Sequence, residues 1–131
     1  MKRIILITGA TGLFGKTFVK HFLSKGDKVI AVSRSLKKLN NLQKENIKNK
    51  DNLFLIELDL MQERFELLLQ EKLNDLNIYP DCLVNNARSI DNLRIKDGGL
   101  IDEKIFIDEY KLGVIVPYKL IISLLKAKYS K

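Results

Sequence analysis

The chain opens with a strand, a glycine turn and a helix in immediate succession, and this block constrains the fold more than any other feature. Ile4-Ile5-Leu6-Ile7 is an apolar run of the kind buried on both faces of a parallel sheet. It leads directly into Thr8-Gly9-Ala10-Thr11-Gly12-Leu13-Phe14-Gly15. An amphipathic pattern follows, which places Phe14, Phe18, Phe22 and Leu23 on one side of the expected helix. A glycine loop in this context brings unpaired helix N–H groups, and the positive end of the helix dipole, to a point where an anion can sit. Gly9 is expected to allow the tight turn, Gly12 to let the backbone approach a phosphate, and Gly15 to let the helix pack close to the strand. Gly9, Thr11, Gly12, Leu13, Phe14 and Gly15 are therefore the first candidate binding residues.

The alternation of strand and helix continues through the 131 residues, a length that suits one domain. Strands are expected over residues 3–8, 28–33, 53–58 and 81–85. The first helix spans residues 13–25 and stops at Gly26-Asp27. Ser35 can cap a second helix carrying Leu36, Leu39 and Leu42. A third covers residues 62–76, with Phe65, Leu68, Leu69 and Leu73 inward. The last covers residues 103–128, and Pro117 should bend it. Residues 45–52 and 88–102 are polar connections. Strands separated by helices of this length imply parallel crossovers, an α/β fold and a doubly wound sheet in the order 3-2-1-4.

Composition narrows the function classes. The formal charge is +7, from 23 Lys and Arg against 16 Asp and Glu. The lysines are scattered, with no basic block and no RNA-type aromatic motif, so they read as solvated surface rather than a nucleic-acid face. Cys82 is the single cysteine, so no disulfide can form within the chain, and a reducing, cytoplasmic setting is expected. No run approaches the roughly 18 apolar residues of a membrane span, and no signal peptide is expected. One histidine, His21, and one cysteine cannot build a metal cluster, so no metal is expected.

Two motifs together resemble the short-chain dehydrogenase/reductase family: Thr8-Gly9-x-x-Gly12-x-x-Gly15, and Asp81-Cys82-Leu83-Val84-Asn85-Asn86-Ala87 on the fourth strand. The resemblance covers essentially the whole chain, but only the N-terminal, cofactor-binding half of a usual family member. It implies a partial Rossmann-like domain over residues 1–131, a dinucleotide cofactor, Asn86 and Ala87 along the cofactor crevice, and Asp59 and Leu60 near the adenine. Asp59 could equally cap the third helix. The middle glycine comes one place earlier than in the common dehydrogenase branch, as in the extended branch that modifies sugar nucleotides, whereas Asn85-Asn86-Ala87 favours the common branch. Arg88 stands where many members have Gly.

Cofactor choice follows from charge. Members that prefer NAD place an acid at the end of the second strand to hold the ribose 2′-OH. Here Ser33, Arg34 and Ser35 occupy that stretch, and no acid is available there to repel a 2′-phosphate. A guanidinium can pair with phosphate bidentately and hydroxyls can donate to it, so NADP is favoured over NAD.

The family's catalysis uses a Tyr, a Lys four residues later, an upstream Ser and an Asn. Four places after Tyr79, Tyr110 and Tyr118 stand Leu83, Val114 and Ile122, and Tyr129 is followed only by Ser130 and Lys131. By the register of Pro117-Tyr118, Gly113 takes the place of the Asn. The expectation is the cofactor-binding part of an NAD(P)-dependent oxidoreductase with no catalytic residue in this chain, its small-molecule substrate unknown, inactive alone. The last helix carries more apolar surface than a four-strand sheet covers, which suits a homo-oligomer or another chain. A non-catalytic dinucleotide- or partner-binding module is the alternative.

Overall fold

The computed structural model describes residues 2–88 and 102–129. In chain order the elements are β1 (Ile4–Thr8), α1 (Leu13–Ser24), β2 (Lys28–Ser33), α2 (Leu36–Glu45), a 3-10 turn (Ile47–Asn52), β3 (Leu53–Glu57), α3 (Phe65–Leu76) and β4 (Cys82–Val84). Then come α4 (Glu103–Tyr110), a π-helical turn (Lys111–Ile115) and α5 (Val116–Tyr129). The four strands are parallel in the order β3-β2-β1-β4, as the strand–helix alternation predicts. This is a Rossmann-like α/β architecture.

Period-two alternation sends side chains of each strand to two separate cores. Ile5 and Ile7 of β1 join Val29 and Ala31 of β2 against Val19 and Leu23 of α1 and Leu39 and Leu42 of α2. Leu6, Ile30, Val32 and Ile56 point the other way, onto Phe65, Leu69 and Leu73 of α3 and Val116 and Leu120 of α5. Gln70 of α3 donates to the Ser123 carbonyl (3.1 Å) and Oγ (3.0 Å), which fastens α5 to this layer.

Several local expectations are corrected. The buried face of α1 is Gly15, Val19 and Leu23, while Phe14 is 64% exposed and Phe18 is also exposed. Gly15 decides this. It must face the loop, and successive steps of four residues then put Val19 and Leu23 beneath it and turn Phe14 and Phe18 outward. Phe22 is partly buried, under the Arg3 guanidinium at 5.7 Å. Helix α3 begins at Phe65 rather than residue 62, because Arg64 is left-handed (φ 56°) and residues 61–64 are spent in turns. Strand β4 is three residues long, and part of the 45–52 connection is the 3-10 turn. Pro117 sits in the first turn of α5, and the π-helical turn lies directly before it. The wider turn absorbs the missing N–H and the ring's steric demand on Gly113. The polar connection expected over residues 88–102 falls, from residue 89 to 101, outside the described residues.

An ion pair closes the end of the sheet opposite the glycine loop. Asp27 is nearly fully buried, and its carboxylate accepts from the Arg3 backbone N–H (3.0 Å) and from the guanidinium (2.9 Å). The hydrogen bond from the Arg3 guanidinium, then that from its N–H, hold the Asp27 carboxyl below the usual range. Folding lowers this pKa, so its stabilisation is complete above the ordinary carboxylate range and is lost as pH falls through the depressed value. Asp27→Asn should therefore lower Tm at neutral pH, and the gap to the parent should close on acidification; a pH-independent gap would show that Asp27 acts through packing alone. In urea unfolding, Leu69→Ala should cost about 2–5 kcal/mol, whereas Leu67→Ala, on the exposed face of the same helix, should stay within about 0.5 kcal/mol.

Candidate cofactor site

Parallel strands deliver all their C-terminal ends to one edge, so the motif residues converge there: the glycine loop after β1, residues 33–35 at the end of β2, Asp59-Leu60 after β3 and residues 85–87 after β4. The order 3-2-1-4 reverses direction between β1 and β4, and a crevice at such a switch point is where open α/β sheets bind ligands.

Thr8 joins the two sides of that crevice. The residue is 2% exposed, and its hydroxyl accepts from the backbone N–H of Asn86 (3.0 Å) and of Ala87 (3.0 Å) and donates to the Val84 carbonyl (3.4 Å). The Asn86 amide donates to the Gly9 carbonyl (3.1 Å). Gly9 has φ +60°, and a Cβ there would lie 2.9 Å from Ala87 Cα, so the loop needs glycine both for its backbone and for the approach of β4. At Gly15 a Cβ would fall 2.1 Å from the Gly9 carbonyl oxygen, so the close approach is of the helix to the loop, where the spacing alone predicts an approach to the strand. A Cβ on Gly12 would meet only ordinary contact, at 3.5 Å. Gly12 is the N-cap of α1, no side chain caps that end and no acid lies in its first turn, so no described side chain there offsets the positive end of the helix dipole. Leu13 and Phe14 lie exposed in the same turn.

At the end of β2, the Thr11 and Ser33 hydroxyls are hydrogen-bonded at 2.9 Å, and Ser33 Oγ accepts from the Ser35 N–H at 3.3 Å. Ser35 caps α2 by accepting from the Lys38 N–H, as expected of it (3.2 Å). Arg34 is exposed beside them. Thr11 also lines an open cleft with Lys16, Lys38 and Lys44 between α1 and α2.

Asp59 accepts from the Met61 N–H (2.9 Å) in a turn that ends before α3, so it does not cap that helix. Leu60 is buried, and the neighbouring Met61 carbonyl accepts from Lys111 of the π-helical turn (3.2 Å). Gly113 faces open space, where a Cβ would meet nothing within 4 Å. Arg88 is exposed. Among the described residues, no group of three or more His, Cys, Asp or Glu could hold a metal ion.

Two residues of the site were not singled out by sequence reasoning. In the sequence Thr8 stands out only as part of a motif, although a Thr closing an apolar strand is a candidate for a satisfied buried hydroxyl. Glu57 carries no motif in the sequence. It pairs in register with Ser33, and its carboxylate accepts from the Leu36 N–H at the N-terminus of α2 (3.0 Å). An acid therefore does lie near the end of β2, contrary to the expectation from residues 33–35: it comes from the neighbouring strand.

Comparison with known proteins agrees with this geometry. Residues 3–108 match the family model described as short chain dehydrogenase. The NADP-dependent 3-hydroxy acid dehydrogenase YdfG of Escherichia coli K12 is 39% identical over 89 residues, which cover 64% of this chain and 33% of that protein. A short-chain dehydrogenase from Streptomyces avermitilis superposes with a TM-score of 0.78 at 27% identity, over 96% of this chain and 44% of that one. A 4-hydroxyisoleucine dehydrogenase complexed with NADH gives 0.78 at 25% identity, over 96% of this chain and 49% of that one. The chain thus spans about a third to a half of the length of these relatives. With its glycine loop, its Asn-Asn-Ala segment and the sheet that brings them together, the chain belongs to the short-chain dehydrogenase/reductase family.

Proposed function

We propose that this chain is the dinucleotide-binding part of a short-chain oxidoreductase and that it takes NADP in preference to NAD. The observation that carries the reading is the clamp at Thr8, which ties residues 86–87 to the glycine loop beside the uncapped N-terminus of α1. The backbone of residues 12–14 would face the pyrophosphate, Asp59 and Leu60 the adenine, and Asn86 and Ala87 the far side of the crevice. Ser33, Arg34 and Ser35 would take the 2′-phosphate. A relative described as NADP-dependent and another complexed with NADH show that both cofactors occur among the proteins this chain resembles.

The bound dinucleotide would supply hydride transfer between a carbonyl and an alcohol. This chain's residues bind and orient it and shield one face. The sequence holds no Tyr-x-x-x-Lys, and Gly113 offers no side chain, which supports the reading that these residues bind the cofactor and do not themselves supply the proton-transfer groups. A cytoplasmic location is proposed with this activity. A second reading, a binding module without chemistry, is favoured by the exposed apolar side chains Phe106, Tyr110, Val114, Tyr118 and Leu125 of α4, the π-helical turn and α5. They suit burial against a second copy or another chain.

Titration of the purified chain with NADPH and NADH, followed by nucleotide fluorescence with circular dichroism on the same sample, should show saturable binding that favours NADPH. A folded chain that binds neither nucleotide sinks the dinucleotide reading. Arg34→Leu should weaken NADPH binding about tenfold, the size of one charge-assisted hydrogen bond, and leave NADH nearly unchanged. Gly9→Ala should abolish binding of both and lower Tm, since it combines a positive φ with the 2.9 Å collision on Ala87.

A further inference from the structure

We infer that Glu57 is a specificity-determining acid of the adenosine-ribose subsite, supplied by β3 in place of the acid missing from the end of β2. The inference rests on the dinucleotide reading above. Glu57 stands beside Ser33 in the parallel register, and the Leu58 N–H donates to the Ser33 carbonyl (2.9 Å), so the two strand ends are locked together. The Glu57 carboxylate reaches over this junction to the N–H of Leu36, the first residue of α2. It thus sits within the same short arc as the Ser33 hydroxyl, Arg34 and the Ser35 cap.

That arc is where charge decides between the two cofactors. A 2′-phosphate entering there gains Arg34 and the hydroxyls but meets an exposed carboxylate already seated on the helix N-terminus, the position that would otherwise favour the incoming anion. A ribose 2′-OH carries no charge to be repelled and can donate to the same carboxylate. Selectivity is therefore the difference between two opposed residues: Arg34 draws the 2′-phosphate in, and Glu57 holds it back. Thr11 and Ser33 keep the opposing groups in place, since their 2.9 Å hydrogen bond fixes the glycine loop to the end of β2.

The test is the ratio of dissociation constants for NADPH and NADH in the parent chain, Glu57→Gln and Glu57→Lys. Gln keeps an acceptor for the Leu36 N–H and removes only the charge; Lys reverses it. The ratio is expected to shift toward NADPH by about three- to tenfold in Glu57→Gln, and further in Glu57→Lys, with less shift at high salt. A partly unfolded preparation lowers the binding stoichiometry and leaves this ratio intact. Binding of both nucleotides with an unchanged ratio overturns the role of Glu57 and leaves the dinucleotide reading standing. Failure of the folded parent to bind either nucleotide overturns both.

Discussion

The edge of the sheet that carries the candidate site depends on one buried hydroxyl. Thr8 ends the central strand, and its Oγ1 satisfies two consecutive backbone N–H groups of the segment after β4. Without it, two donors would be stranded in a half-buried crevice, each at a cost of about 1–3 kcal/mol. A serine could make the same bonds but would not fill the same volume, and a valine of the same shape could make none. The bonds also position the Asn86 amide on the Gly9 carbonyl. The glycine loop is therefore shaped from two directions, by its own φ angle and by the strand that closes over it.

Gly15 extends the same constraint into the helix layer. Because its missing Cβ lets α1 rest on the Gly9 carbonyl, the rotation of α1 about its axis is set at its first turn. Val19 and Leu23 then complete the core, and the phenylalanines are left outside it. Here close packing outweighs the larger hydrophobic gain that burying Phe14 would bring, since a helix pushed away from the loop would open a gap beneath its whole length.

Much of this was legible in the chain because the decisive signals are local. Apolar runs bounded by Gly-Asp and Tyr-Pro mark β2 and β4, the cap at Ser35 marks α2, and alternation of strand with helix implies the 3-2-1-4 order. The misreadings share a cause: each depends on something a neighbour in space supplies. The face of α1 is chosen by a carbonyl six residues before Gly15 that collides with a Cβ no sequence displays. The late start of α3 follows from a left-handed arginine, a conformation that its side chain does not announce. Glu57 comes beside Ser33 through lateral register, and register between strands belongs to the sheet rather than to either segment.

The position of β4 has a consequence for how the molecule comes together. Pairing β1 with β2 joins groups about 24 residues apart, as in the Arg3–Asp27 contact, whereas the Ile4–Asp81 contact beside β4 spans 77. The longer closure carries the larger entropic cost and is repaid by only a three-residue strand. Docking of β4 is thus expected to be the last and weakest step of assembly. That same step brings Asn86 and Ala87 onto Thr8 and completes the crevice. Under the proposed function, occupancy of the crevice and completion of the sheet would be one equilibrium, and a nucleotide bound there would act as a clasp on the folding of the strand that receives it.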